Sequence, residues 1–376
     1  MKEGWKTEKL NDVCIIDYGT RVVRKKDGGS IYPVYGGGGA TFKMDTFNRE
    51  NCLVVARFAM SEQCTRFVSG KFFLNDSGLT VSPKDTILSQ NFLNWILIAN
   101  NNLIYSFGKG SAQKNLDMEE FRSMKISYPT NPSEQQRIVE ILDTEFEKID
   151  VLKANAEKNL QNAKDLFQAA LKKEIYSDIT QPLIDLCESI IDCPHSTPIK
   201  SSTKTDYPCI RTSELGMGII IWPSMQYVSK DEYQKRIGRL TPRYEDIVYG
   251  REGTIGNAIM IPKDYHFCLG QRTTLFRPNK SIVNPQYLLY CVISPFVYKQ
   301  AMEKNTGCGV AHVNVADIKQ FKIPMGRTIK EQQSIVFKLD EISNNCSALQ
   351  DNYTQTIALC DDLKQALLRK AFSGEL

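Results

Sequence analysis

Apolar residues fall in two long helical stripes separated by stretches of shorter period. In the first stripe Leu142, Ile149, Leu152, Ala156, Ala163, Leu166 and Ala170 recur at spacings of seven and of three or four, the a/d pattern of a coiled coil. Leu339, Ile342, Cys346, Leu349, Tyr353, Cys360, Leu363 and Leu367 form the second stripe. The two are copies. Glu134-Gln135-Gln136-Arg137-Ile138-Val139 returns as Glu331-Gln332-Gln333-Ser334-Ile335-Val336, and one offset of 197 residues runs without a gap to the C-terminus. It pairs Leu142 with Leu339, Asp143 with Asp340, Leu166 with Leu363 and Lys173 with Lys370.

Both copies carry helix-start signals. Asn131-Pro132-Ser133-Glu134 supplies a side-chain cap, a proline at the first helical position and a glutamate at the third, and Thr328-Ile329-Lys330-Glu331 reads as a capping box. No proline interrupts either run, so each predicts a helix of about 46 residues, roughly 65 to 70 Å long. Small Ala156, Ala163 and Ala170 in one stripe stand where the other has Tyr353, Cys360 and Leu367, which suits packing of the two helices on each other. Antiparallel packing would place a domain near each end and relate the two by a pseudo-twofold axis. The competing reading is two unrelated amphipathic helices, each packed on its own domain.

Each helix follows a dissimilar stretch of well over a hundred residues, which gives four segments: a first head at 1–130, a helix at 131–179, a second head at 180–327 and a helix at 328–376. In the first head, strand-like Cys52–Ala56, Arg66–Val68 and Lys71–Leu74 alternate with polar or glycine-rich breaks, and Phe92–Ile98 reads as helix. The fold class is α+β, two mixed heads with two long helices. Gly36–Gly39 follows Tyr32-Pro33-Val34-Tyr35 without a phosphate-loop lysine, so it reads first as a turn; a close backbone approach to a phosphate beside Tyr35 is the functional alternative. Arg21, Arg24, Lys25 and Lys26 form a basic run before Gly28-Gly29.

The second head echoes the first at two places. Asp246–Arg251 parallels Cys52–Arg57, with an arginine closing a strand-like run in both. The segment Gly108-Lys109-Gly110-Ser111-Ala112-Gln113-Lys114-Asn115 matches Gly307-Cys308-Gly309-Val310-Ala311-His312-Val313-Asn314 in two glycines, an alanine and an asparagine. Positions that differ, such as Gln113 against His312, are where two readers of different sequences would differ; a shared structural turn is the plainer alternative. Lys235, Arg236, Arg239 and Arg243 lie in a stretch without an acid, which suits either a phosphate-binding surface or a solvated helix face.

Catalytic patterns are sparse. Asn284-Pro285-Gln286-Tyr287 resembles the Asn-Pro-Pro-Tyr signature of amino-methyltransferases, but it lacks the second proline and a glycine-rich cofactor strand, and it reads better as a helix start. Gly250–Gly256 lacks GxGxxG spacing. With three histidines in all, Cys193, His195, Cys308 and His312 match no common zinc spacing, so no metal is expected.

At 376 residues, 42% hydrophobic and 10% aromatic, the chain has room for two folded heads. The start lacks a signal-peptide run and no stretch is long enough to span a bilayer, so a cytoplasmic location is expected. Eleven scattered cysteines predict reduced, mostly buried thiols. A net charge of +4 and a pI near 8.4 permit a polyanionic partner without requiring one.

The Glu-Gln-Gln-x-Ile-Val start and its second copy, the terminal Leu368–Leu376 segment, Tyr32–Gly37 and Asp192-Cys193-Pro194-His195-Ser196-Thr197-Pro198 together resemble the specificity subunit of type I restriction-modification enzymes. The resemblance covers essentially the whole chain. It implies that each head is a target recognition domain reading one half of a split double-stranded DNA site, with the helices as a ruler. It also implies a subunit that catalyses nothing and binds no cofactor of its own. Two modification subunits would dock on the helices and bring S-adenosylmethionine, and restriction subunits would add ATP-driven translocation and cleavage. The candidate DNA contacts are Arg21, Arg24, Lys25, Lys26, Tyr35, Arg57, Lys109, Gln113 and Lys114 in the first head, and His195, Arg211, Lys235, Arg236, Arg239, Arg243, Arg251 and His312 in the second. A stand-alone methyltransferase and a coiled-coil scaffold for other proteins are the rival classes.

Overall fold

The computed structural model describes residues 4–305 and 311–376. The chain divides into two compact units, one of residues 1–156 and 355–376, the other of residues 157–354. The long helices run Pro132–Glu174 and Ile329–Ser373, and each contributes a half to each unit. Both caps form as the sequence predicts. Asn131 Oδ1 accepts the Ser133 N–H at 2.9 Å, while the Thr328 N–H donates to Glu331 Oε2 at 2.7 Å and the Glu331 N–H returns a bond to Thr328 Oγ1 at 3.3 Å.

The capping box has a consequence in pH. The Thr328 hydroxyl and then its N–H hold the Glu331 carboxyl below the ordinary carboxylate range. A depressed value means that the cap contributes above the unfolded pKa, about 4.3 for glutamate, and is lost as pH falls through the folded value. Protection of the first-turn amides, taken relative to their intrinsic exchange rate at each pH, should therefore fall on acidification, and Thr328→Ala should show the reduced protection already at neutral pH; unchanged protection in the variant would remove the cap from the account.

In the first unit the helix halves are antiparallel: Lys153 pairs with Asp361 at 2.7 Å, Lys364 with Asp150, and Arg137 donates to the Leu376 carbonyl at 2.7 Å. In the second unit Lys338 meets Glu174 at 3.6 Å, and Phe167 and Leu171 share a core with Leu339 and Cys346. The stripe needs one correction. Leu152, Leu166, Leu349 and Leu363 are exposed, and the inward partners of the buried column Leu142, Ile149, Ala156 and Ala163 are Phe146, Lys153, Leu160 and Phe167. Neighbours three and four residues on share one helix face, and the facing helix selects the second set. The Lys153 stem lies along the seam while its ammonium reaches Asp361.

Ten strands build the first head: β1 (Trp5–Lys9), β2 (Cys14–Tyr18), β3 (Tyr32–Tyr35), β4 (Lys43–Met44), β5 (Arg49–Ala56), β6 (Thr65–Leu74), β7 (Gly78–Pro83), β8 (Gly108–Lys109), β9 (Asn115–Leu116) and β10 (Lys125–Pro129). The main sheet has the order β2-β7-β5-β6-β3-β4, with β3 and β6 parallel. Helix Gln90–Ala99, capped by Ser89, packs its Phe92, Leu93, Ile96 and Leu97 into the core that also takes Ile138, Val139 and Leu142 of the first long helix.

The second head has β11 (Thr180–Pro182), β12 (Cys187–Asp192), β13 (Pro208–Ile210), β14 (Gln226–Tyr227), β15 (Ile247–Gly250), β16 (Ala258–Met260), β17 (Cys268–Leu269), β18 (Thr273–Pro278) and β19 (Lys322–Pro324). Its sheet order β12-β18-β15-β16 repeats β2-β7-β5-β6, and a separate sheet β14-β13-β17 is added. Asn284-Pro285-Gln286-Tyr287 is a helix start: Asn284 Oδ1 accepts the Tyr287 N–H at 3.0 Å and the helix runs Pro285–Val292.

Both heads are fastened to their long helices by the same device. Gln135 and Gln332, each 0% exposed, accept from the backbone N–H of the helix-capping residue, Ser89 and Asn284, at 2.8 Å. The Gln135 amide also donates to the Ile87 and Pro129 carbonyls at 2.7 Å, and that of Gln332 to the Arg327 carbonyl at 3.1 Å. Eight residues on, Asp143 accepts from Trp95 Nε1 at 2.8 Å and Asp340 from the Tyr290 hydroxyl.

Candidate nucleic-acid interface

The two echoes in the sequence, an arginine at a strand end and a glycine-containing loop, meet in space. In the first head Arg57 follows β5, and its carbonyl accepts the Leu116 N–H of β9 at 2.8 Å. In the second Arg251 follows β15, and its carbonyl accepts the Val313 N–H at 2.9 Å. Gly110 has φ +120° and a Cβ there would lie 2.3 Å from the Gln113 carbonyl oxygen, so the first loop requires its glycine. Gly307, Cys308, Gly309 and Val310 of the second loop lie outside the described residues.

The strands beside these arginines also correspond. Leu79 of β7 pairs with both Tyr18 and Val55, and Thr274 of β18 with both Asp192 and Tyr249, so Tyr18 and Asp192 occupy equivalent places. Chemistry differs there. The Arg57 guanidinium lies 4.7 Å from the Tyr18 ring centre and 4.5 Å from that of Phe58. Arg251 is only 7% exposed; its Nε bonds Asp192 Oδ1 at 3.1 Å and one terminal nitrogen lies 3.4 Å from the His312 ring.

That ion pair extends into a network. Asp192 Oδ2 lies 3.3 Å from His195 Nε2, His312 Nδ1 lies 3.6 Å from Glu252 Oε2, and Glu252 Oε1 lies 3.0 Å from Arg272 Nε. Gln271 donates to the His195 carbonyl. The Asp192–Pro198 motif is thereby joined to the strand-end arginine and to the loop. Among the described residues no group of three or more His, Cys, Asp or Glu forms a metal-holding set; Cys308 is outside them.

The other candidates separate by burial. Arg21, Arg24, Lys25 and Lys26 are exposed, the last three on a helical turn, Arg24–Asp27. Tyr35 is half-buried edge-on to Phe72, with ring centres 5.4 Å apart. Gly36 and Gly37 are close-packed: a Cβ at Gly36 would lie 2.1 Å from Ser77 Oγ and one at Gly37 2.3 Å from the Phe58 carbonyl oxygen, so their role is approach to the turn before β7 and to the segment after β5. Lys109 is tied to Asp117, whose hydrogen bond raises the ammonium pKa while the carboxyl is lowered in return. Lys114 stands 4.0 Å from the Tyr105 ring centre, and Gln113 is exposed.

In the second head Arg211 pairs with the fully buried Glu214 at 2.5 Å and fills the space a side chain at Gly270 would need. The run from Lys235 to Arg243 is not one face. Lys235, Arg239 and Arg243 are exposed, whereas Arg236 is buried and donates to the Leu269 carbonyl at 2.6 Å, the Ser196 carbonyl at 3.2 Å and Glu232 at 3.3 Å. Arg239 donates to the Cys193 carbonyl at 3.2 Å. Sequence reasoning missed Tyr18, Glu252, Gln271 and Arg272 as parts of these sites; Phe58 adjoins Arg57 in the chain, but Tyr18 is brought to it only by the β2-β7-β5 pairing.

Duplicated α+β heads with basic strand-end sites, held on two capped helices, define the architecture. A family profile described as Type I restriction modification DNA specificity domain matches residues 2–162 and 182–359, and the chain belongs to that family. It is 22% identical over 271 residues to the EcoBI specificity subunit of Escherichia coli, covering 65% of this chain and 57% of that subunit. With the EcoDI specificity subunit of Escherichia coli it shares 19% over 399 residues, 99% of this chain and 88% of that one. Among solved structures, a chain from a study of complex assembly and conformational transition of the type I R-M system matches with a TM-score of 0.76 at 17% identity, covering 100% and 99% of the two chains. The HsdS subunit of Thermoanaerobacter tengcongensis matches with a TM-score of 0.54 at 17% identity, covering 100% and 98%. These likenesses are of fold. Among the described residues no helix is long and apolar enough to cross a membrane.

Proposed function

We propose that this chain is the sequence-reading, non-catalytic subunit of a type I restriction-modification complex, with each head reading one half of a split site in double-stranded DNA. The observation that carries the reading is the duplicated site: the same strand-end arginine bonded to the same loop in two heads, with different side chains around it. Backbone that repeats while side chains differ suits two readers of different base sequences. Exposed Arg21, Arg24, Lys25 and Lys26 in one head and Lys235, Arg239 and Arg243 in the other supply phosphate contacts. The long helices set the number of unread base pairs between the halves and receive two modification subunits, which bring S-adenosylmethionine; restriction subunits join that assembly.

The test is modular. Replacing residues 1–130 with the corresponding head of another family member should change one half of the bound sequence and leave the other half and the spacing intact. Log affinity should fall linearly with log salt, by about 0.9 for each phosphate neutralised. A change in both halves at once, or a flat salt dependence, would sink the proposal. Methyl transfer to DNA by this chain alone, with labelled S-adenosylmethionine, would remove the non-catalytic part of it.

A further inference from the structure

The two strand-end arginines share a backbone position but not a state, and the difference assigns them different tasks. Arg57 has its N–H bonded to the Ser77 carbonyl at 2.8 Å and its carbonyl bonded to Leu116, so its backbone is fixed from both sides. Its guanidinium lies against the Tyr18 and Phe58 rings, and the Tyr18 hydroxyl is itself held by Arg122 at 3.0 Å. Among the described residues none hydrogen-bonds or ion-pairs the Arg57 side chain. Ring contacts supply no hydrogen-bond acceptor oxygen or nitrogen, so the N–H fork of the guanidinium keeps its donors for a ligand. Arg251 instead has its Nε bonded to Asp192, and its Nη1 lies 3.4 Å from both ring nitrogens of His312.

We infer that Arg57 reads one guanine, donating in the major groove to the O6 and N7 acceptors, and that Arg251 reads no base but positions the loop carrying His312 and the turn carrying His195. The inference rests on the proposed DNA-reading function. A guanine edge offers two acceptors in one plane, the complement of a rigid fork. A phosphate does not demand such rigidity, and the exposed basic side chains of the Arg21–Lys26 segment already serve it. At Arg251 the Asp192 carboxylate already engages the Nε side of the fork and His312 lies against Nη1, so discrimination passes to side chains held around the ion pair.

The experiment is selection from a library of duplexes with randomised interiors, using the full chain assembled with its modification subunits. The wild type should enrich a two-part motif. Arg57→Met, which keeps an unbranched stem against the rings, should lower the preference for a single guanine by about ten-fold or more and leave every other position in place. Arg251→Lys, which keeps the charge opposite Asp192 but not the fork, should retain the wild-type second half. Equal weakening of all sequences by Arg57→Met, with the salt slope reduced by about one, would make Arg57 a phosphate contact and overturn the inference. So would loss of the entire first half, the mark of a structural residue, or loss of one guanine in Arg251→Lys. If the wild type enriches no sequence, the function itself fails, a separate outcome from these.

Discussion

Arg236→Ala should destabilise the second head by about 3–5 kcal/mol, one of the largest single-residue effects in the molecule. The side chain is buried and bonds the Leu269, Ser196 and Pro194 carbonyls and the Glu232 carboxylate. Truncation leaves Glu232, itself buried, without its cation, and strands the buried Leu269 carbonyl. Hydrogen exchange of the β17 amides should report the loss. Joint replacement, Arg236→Met with Glu232→Leu, should recover a large part of it, because removing both members of a buried pair leaves no orphaned charge. If the double variant is as unstable as the single one, the ion pair is not the source. Arg236 also ties the Pro194–Ser196 turn to β17, so Arg236→Ala should blur discrimination in the second half-site while sparing the first.

The second large effect is expected at the glutamine that fastens each head to its long helix. Gln135→Met leaves the buried Pro129 carbonyl unsatisfied and removes the partners of the Ser89 N–H and the Ile87 carbonyl, which are partly buried. At about 1–3 kcal/mol for an orphaned buried group, the loss should reach about 3 kcal/mol or more. Gln332→Met orphans the Asn284 N–H and the Arg327 carbonyl and should cost less than Gln135→Met does. Chemical denaturation followed by amide exchange within each unit measures both. A loss under about 1 kcal/mol at Gln135 would show that packing alone holds the head. The repeated Glu-Gln-Gln motif thus begins each helix and supplies the buried amide that locks a head onto it.

Several features were legible because they are local. Proline-free heptads, Asn131 with Glu134, and Thr328 with Glu331 specify two capped helices through contacts three or four residues apart, and those helices are present over 132–174 and 329–373. The internal offset of 197 residues marked equivalent positions, and the paired glutamines and aspartates at those positions make equivalent bonds. Leu152 and Leu166 were misread as seam residues because a stripe cannot distinguish the neighbour three residues on from the one four residues on until the partner helix is in place. The acid-free run from Lys235 to Arg243 hid a buried arginine for a related reason: its carbonyl partners come from Pro194, Ser196 and Leu269, far away along the chain.

By itself the sequence determined two copies of one helical segment, two α+β heads of different sequence, and a resemblance that names a family. Caps, heptads and repeats act over short stretches or by identity, so they can be read along the chain. Tertiary structure decided which basic groups remain available. Sheet pairing brings Tyr18 to Arg57 and Asp192 to Arg251, so the same arginine at the same strand end is open in one head and paired in the other. A charge is free or satisfied according to what folds against it, and in both heads that neighbour comes from a strand remote in sequence.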